Sequence, residues 1–84
     1  MSAQSSILPR LLELSSARFD KPLSELSGAD DFYEALGIDS VDAMSLLTSV
    51  EEAFGVEVPD WEVQDVRTFD ELASIIARRA GSAA

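Results

Sequence analysis

The chain has 84 residues, a net charge of −10, 46% apolar side chains, and neither Cys nor His. That length suits one small domain, residues 1–84, and the apolar share is too high for a disordered chain. Lack of Cys excludes a disulfide framework and a thiolate metal site, and lack of His removes the commonest general base and zinc ligand, so any thiol chemistry has to come from a cofactor.

Residues Met1 to Ser5 read as a frayed end, and the ordered core is expected over about 6–80. A first helix is predicted from Ser6, which can cap it, with Pro9 in the first turn where its missing N–H is not needed. Ile7, Leu8, Leu11, Leu12 and Leu14 recur at helical spacing, and Phe19 closes the segment. Lys21 to Leu36 reads as a long loop, held down by Leu23, Leu26, Phe32, Tyr33 and Leu36.

A second helix is predicted over Ser40 to Phe54. Leu46, Val50 and Phe54, with Ala43 and Leu47 beside them, form its inward stripe, and Asp42, Ser45, Ser49 and Glu52 fall on the wet face. Gly55 ends it, and Val56 to Pro59 is an extended link too short for a strand. A short helix is expected over Asp60 to about Val66. Thr68-Phe69-Asp70-Glu71 is a capping box, after which a last helix buries Leu72, Ile75 and Ile76. It carries Arg78 and Arg79 in its last turn and stops at Gly81.

The charge is unevenly spread. Arg10, Arg18, Lys21, Arg67, Arg78 and Arg79 are the only bases, and none lies between Pro22 and Val66, where twelve of the 16 acids fall. Nucleic acid is a poor partner for such a chain; a basic protein surface is its complement, the alternative being an acidic surface that serves solubility alone. A calcium loop begun at Asp30 or Asp31 puts Ala35 or Leu36 where Gly is required, so no metal site is expected. No run approaches the about 20 apolar residues of a membrane span, and the polar N-terminus is not a secretory signal, so a cytoplasmic protein without membrane insertion is expected.

The stretch Leu36-Gly37-Ile38-Asp39-Ser40-Val41-Asp42 delivers an Asp-Ser pair to the start of the second helix through a Gly-bearing turn. Either Asp39 or Ser40 can serve as an ordinary N-cap. The same place also favours a phosphate ester on Ser40, because free N–H groups and the positive end of the helix dipole meet there. Gly37 lets the loop turn and approach closely. Val41 and Met44, one turn apart, either form an apolar lip beside the serine, continued by Thr48, or face inward as ordinary core.

These residues, with Val50-Glu51-Glu52-Ala53-Phe54-Gly55-Val56-Glu57-Val58-Pro59, resemble the two hallmark segments of the acyl carrier proteins, Leu-Gly-x-Asp-Ser-Leu and Leu-Glu-Glu-x-Phe-x-Ile-x-Ile-Pro. The resemblance extends from about Ile7 to Ala80. It implies an all-α four-helix bundle of three longer helices and a short third helix, with the long loop after the first. It further implies a non-catalytic, discrete bacterial-type carrier, monomeric, with 4′-phosphopantetheine from coenzyme A attached to Ser40 beside Asp39, holding acyl groups as thioesters for fatty-acid, lipid or polyketide-type synthesis. Partners implied are a phosphopantetheinyl transferase and acyl-loading and acyl-processing enzymes, meeting Val41, Asp42, Met44, Glu51 and Glu52 through basic patches. Ser45 departs from the fatty-acid synthesis carriers, which usually have Glu there, and points to a dedicated pathway. An aminoacyl or peptidyl carrier, or a carrier-fold structural subunit, are the alternatives.

Overall fold

The computed structural model describes the backbone of residues 3–83 and the side chains of residues 7–80. Three long helices, α1 (Ala3–Phe19), α3 (Ser40–Phe54) and α5 (Phe69–Ala83), make the frame. Two short ones, α2 (Phe32–Leu36) and α4 (Asp60–Val63), and a 3-10 turn at Leu23–Glu25 lie in the connections. No strand forms among the described residues; only an isolated bridge joins Asp31 to Thr68. The expected bundle of three long helices and a short one between the last two is present, with α2 as an addition.

Helix α1 starts at Ala3, earlier than the Ser6 cap allows for, so Pro9 lies inside it rather than in its first turn. The ring removes one i→i−4 hydrogen bond, but Pro9 is exposed, where the freed carbonyl can turn to water. Of the residues read as frayed, Ala3 to Ser5 are helical, and Met1 and Ser2 lie outside the described residues. The helix ends where Asp20 takes a left-handed φ of 55° and the Lys21 N–H bonds back to the Ser16 carbonyl at 3.1 Å. Its inward residues, Ile7 and Leu11, face the core, and α1 packs chiefly along α5.

The long connection after α1 is not a structureless loop. Asp31 caps α2, its Oδ1 accepting from the N–H groups of Tyr33 (2.8 Å) and Glu34 (3.3 Å). Leu26, Phe32 and Leu36 are buried as expected, whereas Leu23 is 45% exposed. Leu23 only opens the 3-10 turn; Leu26, whose N–H bonds to the Leu23 carbonyl, is the residue that turns inward. The connection is fixed to the segment around the start of α5 at two points. Phe32 N–H donates to the Arg67 carbonyl at 2.8 Å, and Asp70 N–H donates to the Gly28 carbonyl at 2.9 Å. A side chain at Gly28 would meet Asp70 Oδ1 and Leu8 Cδ2, so those two side-chain ends would have to move aside to admit one.

Leu46, Leu47 and Val50 of α3, Val56 and Val58 of the link, and Phe69, Leu72, Ala73, Ile75 and Ile76 of α5 complete the core. Helix α4 ends at Val63, not near Val66; the next residues form a turn in which Val66, itself buried, donates to the Val63 carbonyl at 3.1 Å. Glu62 ties α4 to α5 through ion pairs with Arg78 (3.4 Å) and Arg79. The Thr68–Glu71 box forms in both directions: Glu71 N–H donates to Thr68 Oγ1 at 3.2 Å, and Thr68 N–H donates to Glu71 Oε1 at 3.1 Å. Helix α5 runs on to Ala83, so Gly81 lies within it and does not stop it. A glycine ends a helix only by turning left-handed, and Gly37 and Gly55 alone do so among the described glycines. Arg78 and Arg79 therefore lie before the last turn.

Where the α1–α3 connection meets the start of α5, two carboxylates are acidified. Partial burial pushes Asp31 up, but hydrogen bonds from the Arg67 guanidinium at 2.8 Å and from the Glu34 and Tyr33 N–H groups outweigh it, and its pKa falls below the ordinary value. Glu71 is lowered by the Arg67 and Thr68 N–H groups and the Thr68 hydroxyl. A carboxylate with a lowered folded pKa stabilises the fold fully above its unfolded value, about 4 for Asp, and loses that contribution as pH falls through the folded value. Asp31→Asn keeps a cap acceptor and removes only the charge. The melting temperature of this variant should therefore lie below that of the wild type at pH 7, and the gap should close below about pH 4. A gap that stays constant down to pH 2 would rule out the charge as its cause.

Candidate functional site

The turn between α2 and α3 is short and tightly specified. Gly37 takes φ 65° and ψ 40°, its N–H bonding to the Tyr33 carbonyl, and ends α2. The Ile38 N–H bonds to the same carbonyl at 3.1 Å. Nothing lies within 4 Å of a side chain built at Gly37. Gly37 is thus there for its left-handed backbone and not, as its position in the sequence suggests, for a close approach. Asp39 is extended (φ −101°, ψ −175°) and caps α3, its Oδ1 accepting from the Asp42 N–H at 3.0 Å. Its carbonyl takes the first helical bond, from Ala43 N–H at 3.0 Å.

Ser40 is consequently the first residue of α3 and is relieved of capping. It is exposed, and its hydroxyl has no hydrogen-bond partner among the described residues. The N–H groups of Ser40 and Val41 likewise have no acceptor among them. Unpaired N–H groups and the positive end of a helix 15 residues long surround this hydroxyl, the electrostatic setting that stabilises an attached phosphodiester.

A cavity of about 230 Å³ opens beside Ser40. It is bounded by α2, α3 and α4 and reaches Leu72 of α5. Ser40, Met44 and Asp60 at its edge are exposed, while Phe32, Leu46, Leu47 and Leu72 are buried, so it leads from the serine into the core. Its lining is mainly apolar; Tyr33 and Gln64 add polar groups. The space suits an apolar chain entering from the Ser40 side.

The other residues singled out in the sequence divide along α3. Val41 is 74% exposed and Met44 43%, so neither belongs to the core; Thr48 is exposed one turn further on, its hydroxyl donating to the Met44 carbonyl at 3.2 Å. Asp42 and Glu52 are exposed. Glu51 is half-buried, and its Oε2 accepts from the Val58 N–H at 2.8 Å, holding the link after α3 in place. Ser45 and Ser49 are half-buried rather than fully wet. On the Ser45 side, Arg18 of α1 reaches across and donates to its hydroxyl.

Three features of this region were not foreseen. The cavity draws Asp60 and Val63 from α4 and Gln64 from just after it, which sequence spacing does not connect to Ser40. Trp61, near the start of α4, is 70% exposed, with the Arg79 guanidinium 5.9 Å from its ring centroid. The Arg18–Ser45 contact joins residues 27 apart in the chain. Among the described residues no group of side chains could hold a metal ion, and no helix is long and apolar enough to cross a membrane.

Comparison with known proteins agrees with this geometry. The family model described as phosphopantetheine attachment site matches residues 9–76. The acyl carrier protein of Rubrobacter xylanophilus is 34% identical over 70 residues, covering 83% of this chain and 86% of that protein. Among solved structures, the NMR structure of the HMG-ACPI domain from the CurA module of Lyngbya majuscula superposes with a TM-score of 0.80 at 21% identity, over 96% of this chain and 82% of that one. The acyl carrier protein from Enterococcus faecalis superposes with a TM-score of 0.73 at 20% identity, over 94% and 99%. The two structures establish the shared fold. The extent of the family match, with the relative's identity and coverage, establishes more: this chain belongs to the acyl carrier protein family, whose cofactor is a covalently attached 4′-phosphopantetheine.

Proposed function

We propose that Ser40 is the attachment point of the arm and that the chain presents acyl groups to the enzymes of a fatty-acid, lipid or polyketide-type specialised pathway. The single observation that carries the assignment is the division of labour at the start of α3: Asp39 caps the helix, and Ser40 next to it is left with an exposed hydroxyl that has no partner among the described residues. The residues fit the group. The hydroxyl is the ester-forming atom, the N–H groups of Ser40 and Val41 offer donors to a phosphate, and the adjoining cavity takes apolar cargo. The bound arm supplies a terminal thiol, which a chain without Cys lacks, and holds cargo on it as a thioester.

A separate phosphopantetheinyl transferase, working with coenzyme A and Mg²⁺, makes the attachment. Partner enzymes approach along the outward side of α3. Val41 and Met44 form the apolar centre of that contact, and Asp42 and Glu52 its charged rim; Glu51 adds charge from a position fixed by Val58. A polar rim steers encounter, while a buried apolar anchor sets dissociation. The shortage of free basic side chains on this segment supports partners with basic patches.

Intact mass spectrometry after incubation with coenzyme A, Mg²⁺ and a broad-specificity transferase tests the assignment. One phosphopantetheine is expected on the wild type and none on Ser40→Ala. The variant should stay folded, because the cap that α3 depends on belongs to Asp39. Modification of Ser40→Ala to the same extent as the wild type would refute the assignment.

A further inference from the structure

Two arginines of α1 reach α3, and they do different things there. Arg10 serves the C-terminal end: its Nη2 donates to the Ala53 carbonyl at 3.5 Å, and its guanidinium lies 4.7 Å from the Phe54 ring centroid. A cation at that end complements the negative pole of the helix and stacks on an aromatic face, so folding accounts for it. Arg18 lies against the N-terminal half of α3, where the helix dipole does not favour a cation. Its Nη2 donates to Ser45 Oγ, and its guanidinium lies 5.8 Å from the centroid of the neighbouring Phe19 ring. Arg67, Arg78 and Arg79 are paired with Asp31 and Glu62, but Arg18 makes no ion pair among the described residues. It is exposed, and its polar partner is a neutral hydroxyl, so its charge is not consumed by the fold.

The place of that charge matters. Asp42, Ser45, Ser49 and Glu52 follow one another along one side of α3 at helical spacing. Arg18, held at Ser45, therefore interrupts the line between two exposed acids. A partner that lies along α3 meets negative, positive and negative charge in turn.

We propose that Arg18 is a specificity-determining residue of the docking face. It admits an enzyme that presents a carboxylate opposite Ser45 within a basic surface, and it repels one whose basic patch runs unbroken along α3. Discrimination by a misplaced like charge is effective because juxtaposed cations at an interface oppose encounter from a distance. The inference rests on the proposed docking along α3 and on Ser40 as the modified residue.

The test uses the apo chain, coenzyme A, Mg²⁺ and a broad-specificity transferase with an uninterrupted basic docking surface, with initial rates read by intact mass. Arg18→Glu should be modified roughly three- to tenfold faster than the wild type at low salt, with the gain fading as salt rises. Arg18→Ala should give a smaller gain, and Arg18→Lys, which keeps the charge, should restore the slower rate. The carboxylate introduced by Ser45→Glu would pair with Arg18, so this change should help little until Arg18→Ala is added. A merely structural Arg18 would change the melting temperature without this salt-dependent gain. If Arg18→Glu is modified no faster than the wild type, the Arg18 inference is overturned while the Ser40 assignment stands. If no variant gains mass, wild type included, both are overturned.

Discussion

Phe69→Ala is expected to destabilise the fold by about 3–5 kcal/mol, the usual cost of emptying a fully buried aromatic site. Stability of roughly 0.05–0.15 kcal/mol per residue gives a chain of 84 residues about 4–13 kcal/mol in all, so the loss is a large share of the total. Phe69 is completely buried at the first position of α5, directly after its capping threonine. Its ring lies 5.8 Å from that of Phe32, which in turn stacks on Tyr33 at 4.8 Å. Removal of the ring leaves a gap behind α2, and Phe32 and Tyr33 are also walls of the cavity beside Ser40. The effect should therefore reach the site as well as the core. Urea unfolding followed by far-UV circular dichroism measures it. A loss under about 1 kcal/mol would mean that α2 closes the gap and does not depend on this contact.

Reversal of the two exposed acids on α3, Asp42→Lys with Glu52→Lys, should slow transferase modification by one to two orders of magnitude at low salt. Both side chains are exposed, and neither is bound to another part of the chain through its carboxylate among the described residues. Their contribution is long-range attraction, which a Debye length of about 8–10 Å at physiological salt partly screens. The deficit should shrink markedly as salt rises, and helicity should be little changed. Lysine in the first turn of α3 opposes the helix dipole at a cost of about 0.3–1 kcal/mol, too little to unfold the chain. Glu25→Lys with Asp65→Lys, two exposed changes outside α3 that alter the net charge by the same amount, is the control for net charge. Equal slowing by the control would assign the effect to net charge and remove α3 as the docking face.

Much of this structure was legible in the sequence where local physics decides. Helix α3 spans Ser40 to Phe54 as expected, because an Asp-Ser start, an apolar stripe and a following glycine agree on its limits. The Thr68–Glu71 box is equally local. The misses have physical causes. At five residues, α2 is too short to show a helical period, although Asp31 before it and Gly37 after it carry the cap chemistry. Gly81 looks like a stop, yet glycine also fits a helix when the chain continues. Leu23 and Leu26 are the same residue type, and only the turn between them decides which is buried. Asp39 and Ser40 are both good caps, and geometry was needed to give the task to Asp39. The contact between Arg18 and Ser45 and the contribution of α4 to the cavity arise from packing between distant segments, which neither periodicity nor spacing encodes.

The Ser40 hydroxyl, spared from capping by Asp39, is the proposed carrier of the phosphopantetheine. Fragmentation mass spectrometry of the chain purified from its own cells tests this assignment most directly, because it assigns the added group to a residue without any substitution. One phosphopantetheine is expected, with or without cargo, on a fragment in which Ser40 is the modified residue and Ser45 and Ser49 are bare. A phosphopantetheine localised to any other serine would contradict the assignment.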